Sequence, residues 1–487
     1  MASAFRSTAL ARRATTAIAA SLVSACATDP LTIAPLPQPS DEDAAFAGAA
    51  SPALTAETPP TEWWTGFGDP ALTALVEQAL RNSPTLRRAD FDVVAAEAEL
   101  RQIGLERTPS TSGQVNANFS EPAGRSEPAE WDIRGSLSAS WEFDAWGRIA
   151  SLIDSALATA DGIEQARRDV AVTVASETAL AYVDLRGAQR RLAVARQNAE
   201  AQAEGLTLIE TLRDNGRGTQ LDYDRAETVY RTTLASLPVF EADIDDATAR
   251  LAALTGGFAT ESETLFSALL TEADAQVPAL EGPLAVGSPA AMLQRRPDVR
   301  LAEAQLASAV ALSEAVRADL FPRITLGATA SGLFRPEANF GTEDGFNPGF
   351  SIGPAIQWSG PDLRRVYAAI DANDARAQAL AAVYEDTVLT ALSDAQVAIS
   401  NYINERDRRA DLIAAEASAQ SAFVLASRRF EEGLDDYLDV LDAQRTRLDA
   451  EDRLALSELE TARRAIRAYR SLGGIWETQE LTAFRAG

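Results

Sequence analysis

Ile133-Arg134-Gly135-Ser136-Leu137-Ser138-Ala139-Ser140-Trp141-Glu142-Phe143 alternates apolar or small residues with polar ones along its whole length. A period of two is the pattern of a strand with one apolar and one polar face. A strand of about ten residues with such faces suits a tilted outer-membrane barrel strand. The alternation occurs three more times, in Gln114–Ser120, in Ile324–Gly327 and in Phe350–Trp358. The spacing therefore predicts two hairpins, 111–143 and 323–358, with four strands in all. Their polar positions carry Asn, Ser, Gln and Gly, suited to a wet lumen, and Trp131, Trp141 and Trp358 sit near strand ends, where interfacial aromatics belong. Pro354 fits such a strand only at a bulge or an edge. An amphipathic hairpin of a soluble domain would show the same alternation, so the flanking sequence has to decide.

The flanks show that the chain is a duplication. Pro84 answers to Pro297 and Pro109 to Pro322, both 213 residues apart. Trp141 answers to Trp358, Arg148 to Arg365, Gly216 to Gly433, Leu221-Asp222 to Leu438-Asp439 and Ala226 to Ala443, all 217 apart. The offset changes once, by four residues, between Pro109 and Trp141, which predicts a surface loop of variable length there. Each half opens with an Ala/Glu/Leu-rich helix, Thr85–Arg107 and Asp298–Leu320, that stops at a proline. After each hairpin comes a long helical stretch, 149–212 and 364–430, the second with no Gly or Pro. About 65 residues at roughly 1.5 Å each make a rod of about 100 Å. Both rods end at glycine turns, Asp214-Asn215-Gly216-Arg217-Gly218 and Glu432-Gly433, which are helix C-cap signals. Return helices are predicted at 221–254, with a kink at Pro238, and at 438–472.

One such hairpin of Ala-rich helices cannot bury its own stripe, and four strands are too few to close a barrel, since narrow filled barrels use about eight. An open sheet in lipid leaves unpaired edge groups at several kcal/mol each. Strands must therefore be shared between copies, although the number of copies stays open between two, three and four. An ordinary coiled coil accounts for the rods equally well, but not for the hairpins placed between them.

The first 25 residues read as an export signal, with Arg6, Arg12 and Arg13 ahead of the short apolar run Ala14–Val23. The single cysteine, Cys26, follows Leu22-Val23-Ser24-Ala25, which resembles the lipobox of bacterial lipoproteins; a buried free thiol is the alternative. Two or three acyl chains, at about 0.8 kcal/mol per buried CH₂, would anchor the N-terminus without a transmembrane helix. Ala27 after the cysteine points to the outer membrane. There is no histidine, so imidazole base chemistry and His-containing zinc sites are excluded. The net charge of −27 disfavours nucleic acid and anionic lipid as partners. No phosphate loop, nucleophile elbow or metal-ligand cluster is present, and the acids are spread along helices rather than paired in a pocket as a glycosidase needs. The expectation is that the chain has no catalytic residues, no metal and no cofactor beyond a covalent lipid on Cys26.

Trp141-Glu142-Phe143-Asp144-Ala145-Trp146-Gly147-Arg148 resembles the strand-to-helix signature of the TolC-type outer-membrane factors, in particular the lipoprotein branch serving RND-type multidrug and metal efflux. Trp63-Trp64 with Phe67-Gly68-Asp69-Pro70, Tyr182–Gln189, Gln294–Arg300, Ala318–Pro322 and Asp439–Gln444 match it as well, so the resemblance covers about Thr61 to Trp476. It implies a mainly α fold with a membrane β-barrel: a homotrimer with a twelve-stranded barrel and an α-helical tunnel across the periplasm. It also implies an outer-membrane efflux duct for drugs, metals or other small molecules, with a periplasmic adaptor and an inner-membrane transporter of RND type as partners. The implied collar joins the N-terminal segment 26–69, the connector 258–291 and the tail 473–487 to the repeats 70–257 and 292–472.

In that family, acidic residues just after the glycine turns line the closed aperture. The matching residues are Asp222, Asp439 and Asp442, and Asp435-Asp436 stand where some members carry an arginine, so a clamp built on that arginine is not expected here. Gly216, Gly218 and Gly433 mark the turns expected to meet the adaptor. Acids in a helix's first turn also simply suit its dipole, at about 0.3 to 1 kcal/mol each. A periplasmic coiled-coil lipoprotein with a tethering role is the rival reading.

Overall fold

In the computed structural model, the described residues are 33, 45–120, 130–257, 276–334, 346–360 and 362–474. The export signal, the lipidation candidate Cys26 and the C-terminal tail from 475 onward lie outside them, as do the hairpin tips 121–129 and 335–345 and most of the expected connector, 258–275.

The elements in chain order are β1 (Leu54–Thr55), α1 (Pro70–Asn82), α2 (Pro84–Gly104), β2 (Ser110–Ser120), β3 (Glu130–Phe143), α3 (Arg148–Asp214), α4 (Gln220–Leu254), β4 (Leu284–Ala285), α5 (Pro289–Arg295), α6 (Pro297–Arg317), β5 (Arg323–Phe334), β6 (Phe346–Gln357), α7 (Arg364–Glu431) and α8 (Tyr437–Ser471). Helices α3 and α7 run for 67 and 68 residues. Four helices start at a proline, a position where the missing N–H costs nothing. Helix α4 is assigned without a break through Pro238. No described helix is long and apolar enough to cross a membrane.

The chain divides into two compact units, one of Met1–Leu36, Val93–Ile163 and Leu301–Glu385, the other of Pro37–Asp92, Glu164–Arg300 and Asp386–Gly487. The first is built on a four-stranded antiparallel sheet in the order β2-β3-β5-β6. The central pair, β3 on β5, joins the two halves of the duplication. The hairpin registers are copies of one another: Ser110 faces Ser140 in the first and Arg323 faces Gln357 in the second, displaced by the same 213 and 217 residues as the repeats. The four-residue offset therefore falls in the hairpin loop.

The second unit packs around α3. Asp184 of α3 bonds Arg250 of α4 at 3.2 Å and Arg463 of α8 at 2.7 Å, so one carboxylate ties both return helices to the long one. The segment before α1 is held at several points. Ala47 exchanges two hydrogen bonds with the Gln396 amide, β1 pairs in parallel with β4, and Trp63 stacks on Tyr469. At its end Asp69 caps α1, accepting from the Ala71 and Leu72 amides, and its second oxygen accepts a 2.8 Å hydrogen bond from the buried Tyr182 hydroxyl.

Candidate functional site

The sheet register puts the large apolar residues on one face, Leu333 excepted. Val115 faces Gly135; Leu137 faces Gly113 and Ala330; Ala328 faces Ile352; Ile324 faces Ile356. Gln114, Ser136, Ser331 and Gly349 form one row of the opposite face, in which Ser138 and Thr329 lie hydroxyl to hydroxyl at 3.4 Å. The apolar face is bare: Val115 is 76 % exposed, Phe350 75 % and Ile356 72 %, with Leu137 and Ile352 also exposed. Such a contiguous apolar patch marks a contact with lipid or protein. The outer edges of β2 and β6 have no partner among the described residues. Pro354, unsuited to a central strand, stands on one of these edges.

Below the sheet three indoles tie strand ends to the ends of the preceding helices. Trp141 donates to the Arg107 carbonyl and Trp358 to the Leu320 carbonyl, each at 3.0 Å, and these two bonds are the same bond in the two repeats. Trp146 donates to the Pro322 carbonyl at 2.9 Å and stacks on Phe321. The Trp131 side chain lies outside what is described. Within the same corner Glu142 accepts two hydrogen bonds from Arg148, at 2.9 and 2.8 Å, and Asp144 accepts from the Ile149 and Ala150 amides to cap α3. The hydrogen-bonded Glu142 carboxylate holds the Arg148 guanidinium above its ordinary pKa.

The two glycine turns are brought together by one apolar cluster, in which Ile209 and Ala226 of the first hairpin pack with Tyr437, Val440 and Leu441 of the second. Gly216 and Gly433 both take φ of 71°, the left-handed region where a Cβ is penalised. Each turn closes by the same bond across six residues, Arg217 N to Leu212 O at 2.8 Å and Leu434 N to Arg429 O at 2.9 Å. Gly218 packs tightly on the end of α3, where a Cβ would lie 3.1 Å from the Arg213 amide nitrogen.

The acidic residues of the turns divide by what they touch. Asp222 closes a capping box with Thr219, and Asp436 is the N-cap of α8. Asp435 is gripped by the fork of Arg429, which holds its carboxyl below the ordinary carboxylate range. Asp439 and Asp442 stand exposed one turn further on. Leu208, Leu425, Leu221 and Leu438 are also exposed, as two repeat-related pairs.

The profile described as "Outer membrane efflux protein" matches residues 75–257 and 289–474. The chain belongs to this outer membrane efflux protein family. It is 31 % identical over 458 residues to outer membrane protein OprJ of Pseudomonas aeruginosa, covering 91 % of this chain and 92 % of that one. It is 30 % identical to the pyoverdine export outer membrane protein OpmQ of Pseudomonas putida, covering 87 % of this chain and 90 % of that one. Among solved structures, the outer-membrane channel OprN superposes with a TM-score of 0.80 at 33 % identity, over 92 % of this chain and 99 % of that one.

As an outer membrane efflux protein the chain is an outer-membrane channel component of efflux, of a family of channel proteins rather than enzymes. Sequence reasoning passed over the Arg429–Asp435 pair and the indole-to-carbonyl bonds. The repeat alignment carried a signal for both, because Asp435 replaces Gly218 and Trp358 repeats Trp141.

Proposed function

We propose that three copies of this chain close their sheets into a twelve-stranded barrel in the outer membrane, continued by their helices as a passive exit duct. The reading is carried by one observation: an amphipathic antiparallel sheet whose apolar face is exposed and whose edges, β2 and β6, are both unpaired among the described residues. Because four strands alternate in direction, β6 of one copy meets β2 of the next antiparallel, and a ring of copies closes with no edge left in lipid. The number three rests on the resemblance to TolC-type factors. So do the further parts of the proposal: a tripartite pump, a periplasmic adaptor at the Gly216, Gly218 and Gly433 turns, an RND-type transporter and a lipid on Cys26. OpmQ is named for pyoverdine export and a further relative for toluene efflux, so small molecules are the cargo class, chosen by the transporter that feeds the duct. The detergent-solubilised protein is expected to have the mass of a trimer by light scattering and to conduct ions in a planar bilayer. A water-soluble monomer without conductance would overturn this reading and favour a tethering lipoprotein.

At the closed end, Asp439 and Asp442 are the acids whose carboxylates remain outside caps and turns, and in a ring of three they supply six negative charges. Asp222, Asp435 and Asp436 act mainly by holding the turns in shape, beside the aperture. Replacing Asp439 and Asp442 together by alanine is expected to raise single-channel conductance and to lower cation preference in the reversal potential. Unchanged values of both would remove these acids from the aperture.

A further inference from the structure

Within the first unit, a cavity of about 510 Å³ opens where α3, α6 and α7 meet. Pockets that take small molecules run from about 300 to 1,000 Å³. Leu301 and Leu312 of α6, Ile163 of α3 and Leu380 of α7 make the lining largely apolar, and Thr159, Gln305, Ser308 and Asn373 add polar groups. Gly162, a residue that weakens a helix interior, gives α6 its room: a Cβ there would stand 3.4 Å from the Leu301 side chain and from Ala304. Helical period places the cavity on one side of the wall. Glu142 and Arg323 belong to the polar face of the sheet, and they hold Arg148 and Asp319. Thr159 and Gly162 follow Arg148 by 11 and 14 residues, and Leu312 and Leu301 precede Asp319 by 7 and 18, so each pair shares a helix side with its charged residue. The cavity therefore continues the polar face of the sheet, and in the duct it opens to the lumen.

The duplication does not require such a cavity. Helix α2, the repeat of α6, carries Arg88 and Glu99 where α6 has Leu301 and Leu312, and α3 carries Thr159 where α7 has Arg376. Arg376 lines the cavity, is exposed, and among the described residues has no carboxylate partner. Its guanidinium donates to the Asn373 side-chain carbonyl at 3.2 Å, while Asp374, two residues before it, is taken by Arg317 at 2.6 Å and by the Ser313 hydroxyl. In a chain of net charge −27, that leaves a cation beside an apolar lining for an anion to neutralise. We infer that this cavity is a binding site inside the duct for amphipathic organic anions, with the apolar body against Leu301, Leu312 and Leu380 and the carboxylate or sulfonate on Arg376. Its place in the lumen rests on the duct reading above; the cavity itself belongs to a single chain. The site asks for both parts of the ligand. A small inorganic anion lacks the apolar body, and an uncharged aromatic forgoes the charge-assisted hydrogen bond, which is about twice as strong as a neutral one.

Naphthalene-2-sulfonate and its uncharged counterpart, naphthalene-2-sulfonamide, test the site on the full-length protein in lipid nanodiscs, by titration calorimetry with empty nanodiscs as the blank. The sulfonate is expected to bind saturably, once per chain. Arg376→Thr, which installs the residue of the other repeat, is expected to weaken the sulfonate roughly tenfold and the sulfonamide less than about twofold, because only the charged probe loses a charge-assisted hydrogen bond. Leu312→Asn is expected to weaken both probes. Arg376 and Leu312 are exposed, so both variants are expected to melt like the parent. Bound in the lumen, the sulfonate also lowers the single-channel current of the parent and leaves that of Arg376→Thr unchanged. An absence of saturable binding, or sulfonate binding that ignores Arg376→Thr, would overturn the site and leave the duct standing. Binding that keeps its dependence on Arg376 in a protein that forms no conducting ring would uphold the site and overturn the duct instead.

Discussion

Leu137→Arg is expected to abolish assembly in the outer membrane, while Ser136→Arg, one residue away, leaves assembly intact and changes conductance. Leu137 stands at the middle of β3 and projects from the exposed apolar face between Gly113 and Ala330. An arginine on the lipid face of a barrel costs about 2–4 kcal/mol at the bilayer midplane and falls toward zero at the interfaces. A ring of three carries that cost three times, so the assembled form should drop by several orders of magnitude. Ser136 lies in the polar row with Gln114, Ser331 and Gly349, where an added guanidinium stays in water. The measurement is the heat-modifiable oligomer in the outer-membrane fraction, followed by single-channel recording of the Ser136→Arg protein. Equal assembly of the two variants would mean that the sheet does not face lipid with its apolar side.

Much of this contrast is legible from residue order alone. Alternation over Ile133–Phe143 assigns each side chain to a face before any partner strand is known, because the pleat has period two. The repeat offsets then align the hairpins, and the glycine turns end the long helices by a backbone conformation that few other residues take. What residue order leaves out is pairing across long separations. Nothing in β3 or β5 alone says that the two repeats join there. The parallel pair of Leu54–Thr55 with Leu284–Ala285 is two residues long, too short for any period to register. The short helices α1 and α5 were also hidden, each ending just before the proline that opens the next helix. At the turns the ambiguity was chemical. An acid in a first helical turn can cap the helix or face a pore, and only geometry shows Asp222 and Asp436 in caps and Asp435 on Arg429.

The second large effect is expected at Trp63. Its side chain is 2 % exposed, stacks on Tyr469 of α8 with ring centroids 5.5 Å apart, and meets Trp64 edge-on at 5.6 Å. Trp63→Ala leaves a cavity at the centre of the docked N-terminal segment, and large-to-small changes of this kind cost about 3–5 kcal/mol. The neighbouring polar attachments are weaker one by one: a pair of hydrogen bonds exchanged between Ala47 and the Gln396 amide, a two-residue parallel strand, and the Tyr182 hydroxyl on Asp69. Hydrogen bonds net only about 1 kcal/mol each, so without the Trp63 indole the segment depends on its other buried rings, Trp64, Phe67 and Phe46, which have to repack around the cavity. The expected result is a lowered melting temperature together with new protease cleavage between residues 45 and 69, while helical circular dichroism is retained. Trp63→Phe, which keeps a ring against Tyr469, should restore most of the protection. Were Trp63→Ala to melt and resist protease like the parent, the Trp63 stack would not be what holds the segment, and Trp64→Ala, whose side chain is equally buried, would then have to release it.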